Sequence, residues 1–144
     1  MTITIRPLQK DDYAHWLSLW NANNQGVKND EVTAETWRRL MDPAFPVKGF
    51  GAFEGLRMAG LVHYILHPVT GHIGLVCYMQ DLFVDPAFRG RGIARALVEH
   101  LAQEGRKMQW ARLYWLAEAS NKEAQALYKS LGVKLDFTFH VLPF

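Results

Sequence analysis

The sequence is short of cysteine, of long apolar runs and of any excess of charge, and each shortage removes a class of protein. Its one cysteine, Cys77, cannot form an internal disulfide, and its neighbours Val76 and Tyr78 mark it as a strand residue rather than a reactive thiol. A reducing compartment fits that usage, and a soluble, unexported, cytoplasmic chain is the expectation. Nowhere do about 18 apolar residues run uninterrupted, as a membrane span would need, and Met1 to Arg6 has no long apolar stretch behind its first charge. No membrane partner is expected. With 16 Lys and Arg against 14 Asp and Glu, the formal net charge is only +2, and the charges are mixed along the chain rather than gathered into an arm. That balance gives no footprint for nucleic acid.

Several chemistries lack their spelling. There is no Gly-x-x-x-x-Gly-Lys-Ser/Thr for a phosphate-binding loop, and no Gly-x-Ser-x-Gly for a hydrolase nucleophile, while Ser120 has no base near it in sequence. His63 and His67, four residues apart on a strand, would lie about 13 Å from each other, too far to share an ion. His72 lies across a turn and brings no third ligand, so no metal is expected.

What remains is a chain of 144 residues, 49% of them apolar, long enough for one hydrophobic core and short for two, so residues 1–144 read as a single domain. Thr2 to Ile5 alternate as a strand, ended by Arg6-Pro7. Asp11 or Asp12 can cap a helix whose Tyr13, Trp16, Leu17 and Trp20 share one stripe. After the polar run Asn21 to Asp30, a second helix is expected from near Thr33, with Trp37, Leu40 and Met41 inward, until Asp42-Pro43 stops it. Val47 to Val84 is rich in β-branched and aromatic residues, with breaks at Glu54-Gly55, His67-Pro68 and Gly71, which fits three antiparallel strands.

Gly92 to Met108 returns to a helical period, with Ile93, Leu97, Val98 and Leu101 on one face, and Arg112 to Leu116 is a short strand. Asn121 caps a helix carrying Ala124, Leu127, Tyr128 and Leu131 inward, and Gly132 ends it. Val133, Leu135, Phe137, Phe139 and Val141 alternate with polar residues and predict a last strand, apolar enough to serve as an edge between two copies.

The chemistry concentrates between Tyr78 and Arg95, where a strand runs through a Pro-containing turn into the glycine-rich start of a helix. A helix N-terminus leaves backbone N–H groups unpaired and carries partial positive charge. Gly90 and Gly92 keep side chains away from those donors, and Arg89, Arg91 and Arg95 add charge, so a pyrophosphate would sit well there. A dinucleotide fingerprint would need a third glycine where Arg95 stands. A solvated basic turn is the plain alternative.

At these residues the sequence resembles the GCN5-related N-acetyltransferases. Arg89-Gly-Arg-Gly-Ile-Ala94 matches that family's Arg/Gln-x-x-Gly-x-Gly/Ala signature, and Asn121-Lys-Glu-Ala-Gln-Ala-Leu-Tyr128-Lys-Ser-Leu-Gly132 is similar to its Asn-x-x-Ala-x-x-Leu-Tyr-x-x-Leu-Gly helix. Gln80-Asp-Leu-Phe-Val and Leu113-Tyr-Trp-Leu-Ala-Glu read closest to its polyamine and histone acetyltransferase-like branch. The resemblance implies an α/β fold with a mixed, mostly antiparallel sheet flanked by about four helices. It implies an enzyme that passes an acetyl group from acetyl-CoA directly to a primary amine, of a small molecule, a polyamine or a protein lysine. A homodimer is the family expectation for assembly.

Carried over position by position, Leu82, Phe83 and Val84 form the strand that pairs with the pantetheine arm, and a backbone N–H near Leu82 faces the thioester oxygen. Arg89 closes the turn, the N–H groups of Gly90, Arg91, Gly92, Ile93, Ala94 and Arg95 hold the pyrophosphate, and Asn121 with Ala124 touches the cofactor besides Asn121 capping its helix. Tyr128 matches the tyrosine that protonates the departing thiolate, a transfer uphill by about 2 kcal/mol on reference pKa values that a hydrogen bond in a dry site can offset.

For the acceptor, Gln80 stands where polyamine-specific relatives are often acidic, and Asp81, on the opposite face of the strand from Gln80 and Leu82, is the nearest fixed carboxylate. Asp30 and Glu31, in the loop between the first two helices, are further candidates, and Trp115 can border the acceptor site. Two other readings stay open: a non-catalytic acyl-CoA-binding module on the same fold, and an interaction module that uses the basic turn.

Overall fold

In a computed structural model, which describes residues 2–144, five strands form one sheet in the order β1-β2-β3-β4-β5. The strands are β1 (Thr4–Pro7), β2 (Val47–Glu54), β3 (Arg57–His67), β4 (Val76–Val84) and β5 (Arg112–Trp115). The first four are antiparallel neighbours, and β5 joins β4 in parallel. A parallel neighbour requires a crossover, which α3 (Ile93–Met108) supplies. The other helices are α1 (Tyr13–Asn23), α2 (Asp30–Met41) and α4 (Lys122–Leu131).

The helices divide between the two faces of the sheet. On one face Trp16 and Leu19 of α1 meet Phe53, Met58 and Leu61, with Trp37 and Leu40 of α2 beside them. On the other, Ile93, Leu97, Val98 and Leu101 of α3 close over Phe50, Val62, Cys77 and Met79, joined by Tyr128 and Leu131 of α4. Gly60 lets α3 come this near, since a Cβ there would lie 3.0 Å from the Phe83 carbonyl and 3.3 Å from both Ile93 and Leu97. Cys77 is fully buried, and desolvation pushes its thiol up to about 12, so it packs as a small hydrophobe.

Four expectations shift. The first strand lies two residues later than alternation suggests, because its pairing with β2 runs from Thr4 to Pro7. Asp12 does not cap α1 with its side chain. It ends a short 3-10 turn, Lys10–Asp12, and binds Arg6 instead. The second helix begins at Asp30 rather than near Thr33, since Asn29 caps it by accepting from the Val32 N–H at 3.2 Å; Thr33 sits inside, taking a hydrogen bond from Trp20 Nε1.

The fourth shift is the largest: Val133 to Val141 forms no strand, and its apolar side chains are exposed, Phe137 at 84% and Val133 at 86%. Alternation fixes which side of a strand would be apolar, but a strand also needs a backbone partner. The sheet ends at a β5 of four residues, and the last segment pairs with no edge.

At the start of the chain, Asp12 is buried and holds both Arg6 Nη atoms, at 2.8 and 2.9 Å, and the Gln9 N–H at 2.7 Å. Desolvation opposes its charge, but the hydrogen bonds from Arg6 and Gln9 and the Arg6 charge hold the carboxyl below its ordinary value. A carboxyl lowered in the fold contributes stability above its unfolded pKa and loses it as pH falls through the folded value. Asp12→Asn should therefore lower the neutral-pH melting temperature by about 3 to 10 °C. The gap from wild type should shrink below about pH 4, which melting curves across pH would read directly.

Candidate functional site

Two irregularities in β4 make the site. Between β3 and β4 the register slips so that His63 faces Asp81 and Tyr64 faces Met79, which leaves Gln80 unpaired as a bulge. Strict alternation from Gln80 is thereby broken. Leu82 returns to the α3 face with Met79, while Asp81 lies on the α1 face against His63. Gln80 itself is exposed. The second irregularity is that β5 pairs only with Val76–Met79, so from the bulge onward β4 has no neighbour on that side.

The backbone direction along this open edge can be deduced. The Asp85 N–H donates to the Ala59 carbonyl on β3, and direction alternates along a strand, so the main-chain groups of Leu82 and Val84 point away from β3 into the gap. Arg89 Nε donates to the Val84 carbonyl at 3.2 Å, which ties the following turn back to the strand. The Leu82 N–H is aimed into the same gap.

The turn itself, Arg89-Gly-Arg-Gly92, places Gly90 at φ 79° and Gly92 at φ 75°. Both angles are in the left-handed region, where a Cβ costs about 1–2 kcal/mol, so glycine is required here by conformation as well as by access. Gly92 is the N-cap of α3 and offers no side chain, leaving the first helical N–H groups without a side-chain cap. Arg91 reaches Glu54 at 3.0 Å, and Arg95 reaches Ser130 Oγ at 2.6 Å, so both arginines lie beside the turn with their charge at its surface.

These parts line one open cleft of about 560 Å³. Leu82, Phe83 and Val84 form one wall, Gly90, Gly92, Ile93, Ala94 and Arg95 the end, and Asn121, Ala124 and Tyr128 the opposite wall. Asn121 caps α4 by accepting from the Ala124 N–H at 3.1 Å. Tyr128 is half-buried against the ring of Trp115, centroid to centroid 5.3 Å, and burial raises its phenol above the ordinary value, so it keeps its proton at neutral pH.

A second hollow of about 410 Å³ lies between the end of α1 and the start of α2, and Asn23 belongs to both. Its polar lining is neutral: Asn23, Asn24, Gln25, Asn29 and Thr33, beside Trp20. Asp30 and Glu31 occupy the first turn of α2 rather than a loop, are exposed, and line neither hollow. Neither Asn23 nor His63 stands out in the sequence as a site residue. Asn23 sits in an undistinguished Asn-rich run, and the spacing of His63 raises only the question of a metal. No group of three metal-ligating side chains occurs among the described residues.

The sequence profile of the acetyltransferase (GNAT) family matches residues 10–133. A D-amino-acid N-acetyltransferase of Saccharomyces cerevisiae is 31% identical over 140 residues, 93% of this chain and 86% of that one. A thialysine N-epsilon-acetyltransferase of Caenorhabditis elegans is 35% identical over 99 residues, 69% of this chain and 61% of that one. Among solved structures, an aminoglycoside acetyltransferase, AAC(6')-Iy, in complex with a bisubstrate analogue of CoA superposes with a TM-score of 0.85 at 20% identity, covering 100% of this chain and 99% of that one. A ribosomal-protein-alanine N-acetyltransferase from Brucella melitensis gives the same TM-score at 20% identity, over 99% of this chain and 100% of the other. Sheet order, glycine turn and sequence agree: this chain belongs to the GNAT family of acetyltransferases and is an acetyl-CoA-dependent N-acetyltransferase.

Proposed function

We propose that this protein acetylates a primary amine of a small molecule, with acetyl-CoA in the larger cleft and the body of the acceptor in the smaller hollow that shares Asn23. The observation that carries the reading is the convergence, in one cleft, of the open β4 edge, the uncapped α3 N-terminus and Tyr128. The pyrophosphate of CoA takes the N–H groups from Gly90 to Arg95, and its pantetheine arm pairs with the free main-chain groups of Leu82 and the Val84 N–H, since the Val84 carbonyl is already taken by Arg89. Asn121 and Ala124 border the arm on the far side.

The ammonium first gives one proton to water in the open cleft, because only the neutral amine has a lone pair. The amine then attacks the thioester carbon, and the carbonyl oxygen gains negative charge that the Leu82 N–H stabilises, an effect worth roughly 3 kcal/mol for one good donor. The carbon–sulfur bond then breaks, its electron pair leaves with sulfur, and Tyr128 gives the thiolate its proton. Desolvation keeps the phenol protonated until that moment. The surplus proton left on nitrogen passes through water to restore the Tyr128 phenol once the thiolate has been protonated. Of the acceptor-side candidates, Asp81 receives the incoming ammonium: it lines neither hollow itself, but it is the carboxylate hydrogen-bonded to a residue of both, Asn23 Nδ2 lying 3.3 Å from its Oδ1. The exposed Gln80, Asp30 and Glu31 act at most as outer contacts of a bulky acceptor.

The neutral amide lining of the smaller hollow favours a monoamine with a hydrogen-bonding body over a polyamine, whose second cation would meet no carboxylate there. A D-amino acid, the substrate class in the name of the yeast relative, is the first acceptor to offer.

Calorimetric titration with acetyl-CoA should show micromolar binding that is lost in Gly92→Glu, whose charge would repel the pyrophosphate. Gly92→Ala adds only the strain of a left-handed residue and should bind with much the same affinity. Failure of the folded wild-type protein to bind acetyl-CoA would overturn the proposal. Tyr128→Phe should lower kcat by about a hundred-fold while acetyl-CoA affinity changes less than about two-fold, and undiminished turnover would remove Tyr128 as the acid. For assembly we propose a homodimer in which residues 133–144, with their exposed apolar side chains, cover the partner. Light scattering should give twice the chain mass for the full chain and a single chain mass once those residues are removed.

A further inference from the structure

Asp81 ends a chain of hydrogen bonds that begins in the core. Trp16, fully buried on α1, donates its Nε1–H to His63 Nε2 at 2.9 Å, and His63 Nδ1 lies 3.0 Å from Asp81 Oδ2. His63 is 3% exposed, so its ring has no other partners. An indole nitrogen can only donate, so His63 Nε2 must present a lone pair, and the ring's single proton must sit on Nδ1 and point at the carboxylate. The opposite tautomer would set hydrogen against hydrogen at Trp16 and lone pair against oxygen at Asp81. Among the described residues no buried side-chain nitrogen or oxygen lacks a partner, as this arrangement requires.

We infer that His63, with Trp16 behind it, is the positioning residue that fixes the Asp81 carboxylate for the ammonium group of the acceptor; the role rests on the function proposed above. A carboxylate offers about four acceptor sites. His63 occupies one on Oδ2 and Asn23 Nδ2 one on Oδ1, at 3.3 Å. The rest belong to an edge that stays 22% exposed, where the N–H groups of a primary ammonium can land. The bulge at Gln80 makes the alignment, since it brings Asp81 opposite His63 in the register. A carboxylate on a free rotor would have to be ordered by each arriving substrate, whereas here that ordering is already present in the fold.

The test compares His63→Leu, which removes the donor, with His63→Asn, whose side-chain nitrogen can take the place of Nδ1. The acceptor is D-alanine, lysine or spermidine, whichever the wild-type enzyme turns over fastest. His63→Leu should raise the KM for the amine about ten-fold or more, with the acetyl-CoA Kd unchanged, and His63→Asn should recover most of that loss even though both variants deprive Trp16 of its partner. Equal KM values for the two variants, or a loss that tracks melting temperature or acetyl-CoA affinity, would overturn the inference and leave the proposed function standing. Absence of transfer by the wild-type enzyme to every amine would overturn that function, and this role with it. Should His63→Leu not fold, nitrogen NMR of the wild-type protein still decides. His63 must show one neutral tautomer with the proton on Nδ1, and a proton on Nε2 would refute the positioning role.

Discussion

β4 is paired from Val76 to Val84, save the bulge at Gln80, on one side and only as far as Met79 on the other, and the site depends on that asymmetry. An unpaired stretch of central strand is costly in the interior, because its N–H and C=O groups lose water without gaining partners. The fold meets this cost by opening a cleft to solvent where the ladder stops. The exposed main-chain groups then become a binding edge for another extended, amide-bearing chain, as in the addition of a strand to a sheet. The glycine turn at Arg89–Gly92, the start of α3 and the inner face of α4 are arranged around the same opening.

The bulge at Gln80 connects this edge to the opposite face of the sheet. One extra residue reverses the alternation, so that consecutive residues serve different tasks. Leu82 turns its side chain to the α3 core and its N–H into the cleft, while Asp81 meets His63 beneath α1. The core of α1 is thus linked by hydrogen bonds to β4 at the start of its open edge. Trp16 is at once the centre of an aromatic cluster with Trp20 and Trp37 and the donor that sets the tautomer of His63. A polar chain of this kind is tolerated in a core because every member has a partner.

The legible parts were those where local chemistry and tertiary need coincide. Helix stripes such as Tyr13-Trp16-Leu17-Trp20, the Asn121 cap and the Gly132 end, and the turns at Glu54-Gly55 and His67-Pro68 each combine a period with a stop, and each appears in the structure. The turn at Arg89–Gly92 was legible for the same reason, since glycines and arginines directly before an amphipathic helix gather free N–H donors and positive charge at one point of the chain. The hydrogen bonds that tie His63 and Asn23 to Asp81 were not legible. The two residues find partners 47 and 58 residues away in sequence, and nothing local distinguishes a histidine that orients a carboxylate from one that fills a core.

By itself the sequence determined the element order as far as α4, the glycine turn before α3 and the family, because all of these follow from spacing within short segments. Only the tertiary structure decided which edge of β4 stays open, where the strand slips, and that Asp81 rather than Asp30 or Glu31 is hydrogen-bonded to Asn23, which lines both hollows. It also decided that Val133–Val141 is no strand within this sheet. Strand pairing is a relation between segments, and a pattern of alternating side chains specifies a face to bury without specifying the backbone that will lie beside it.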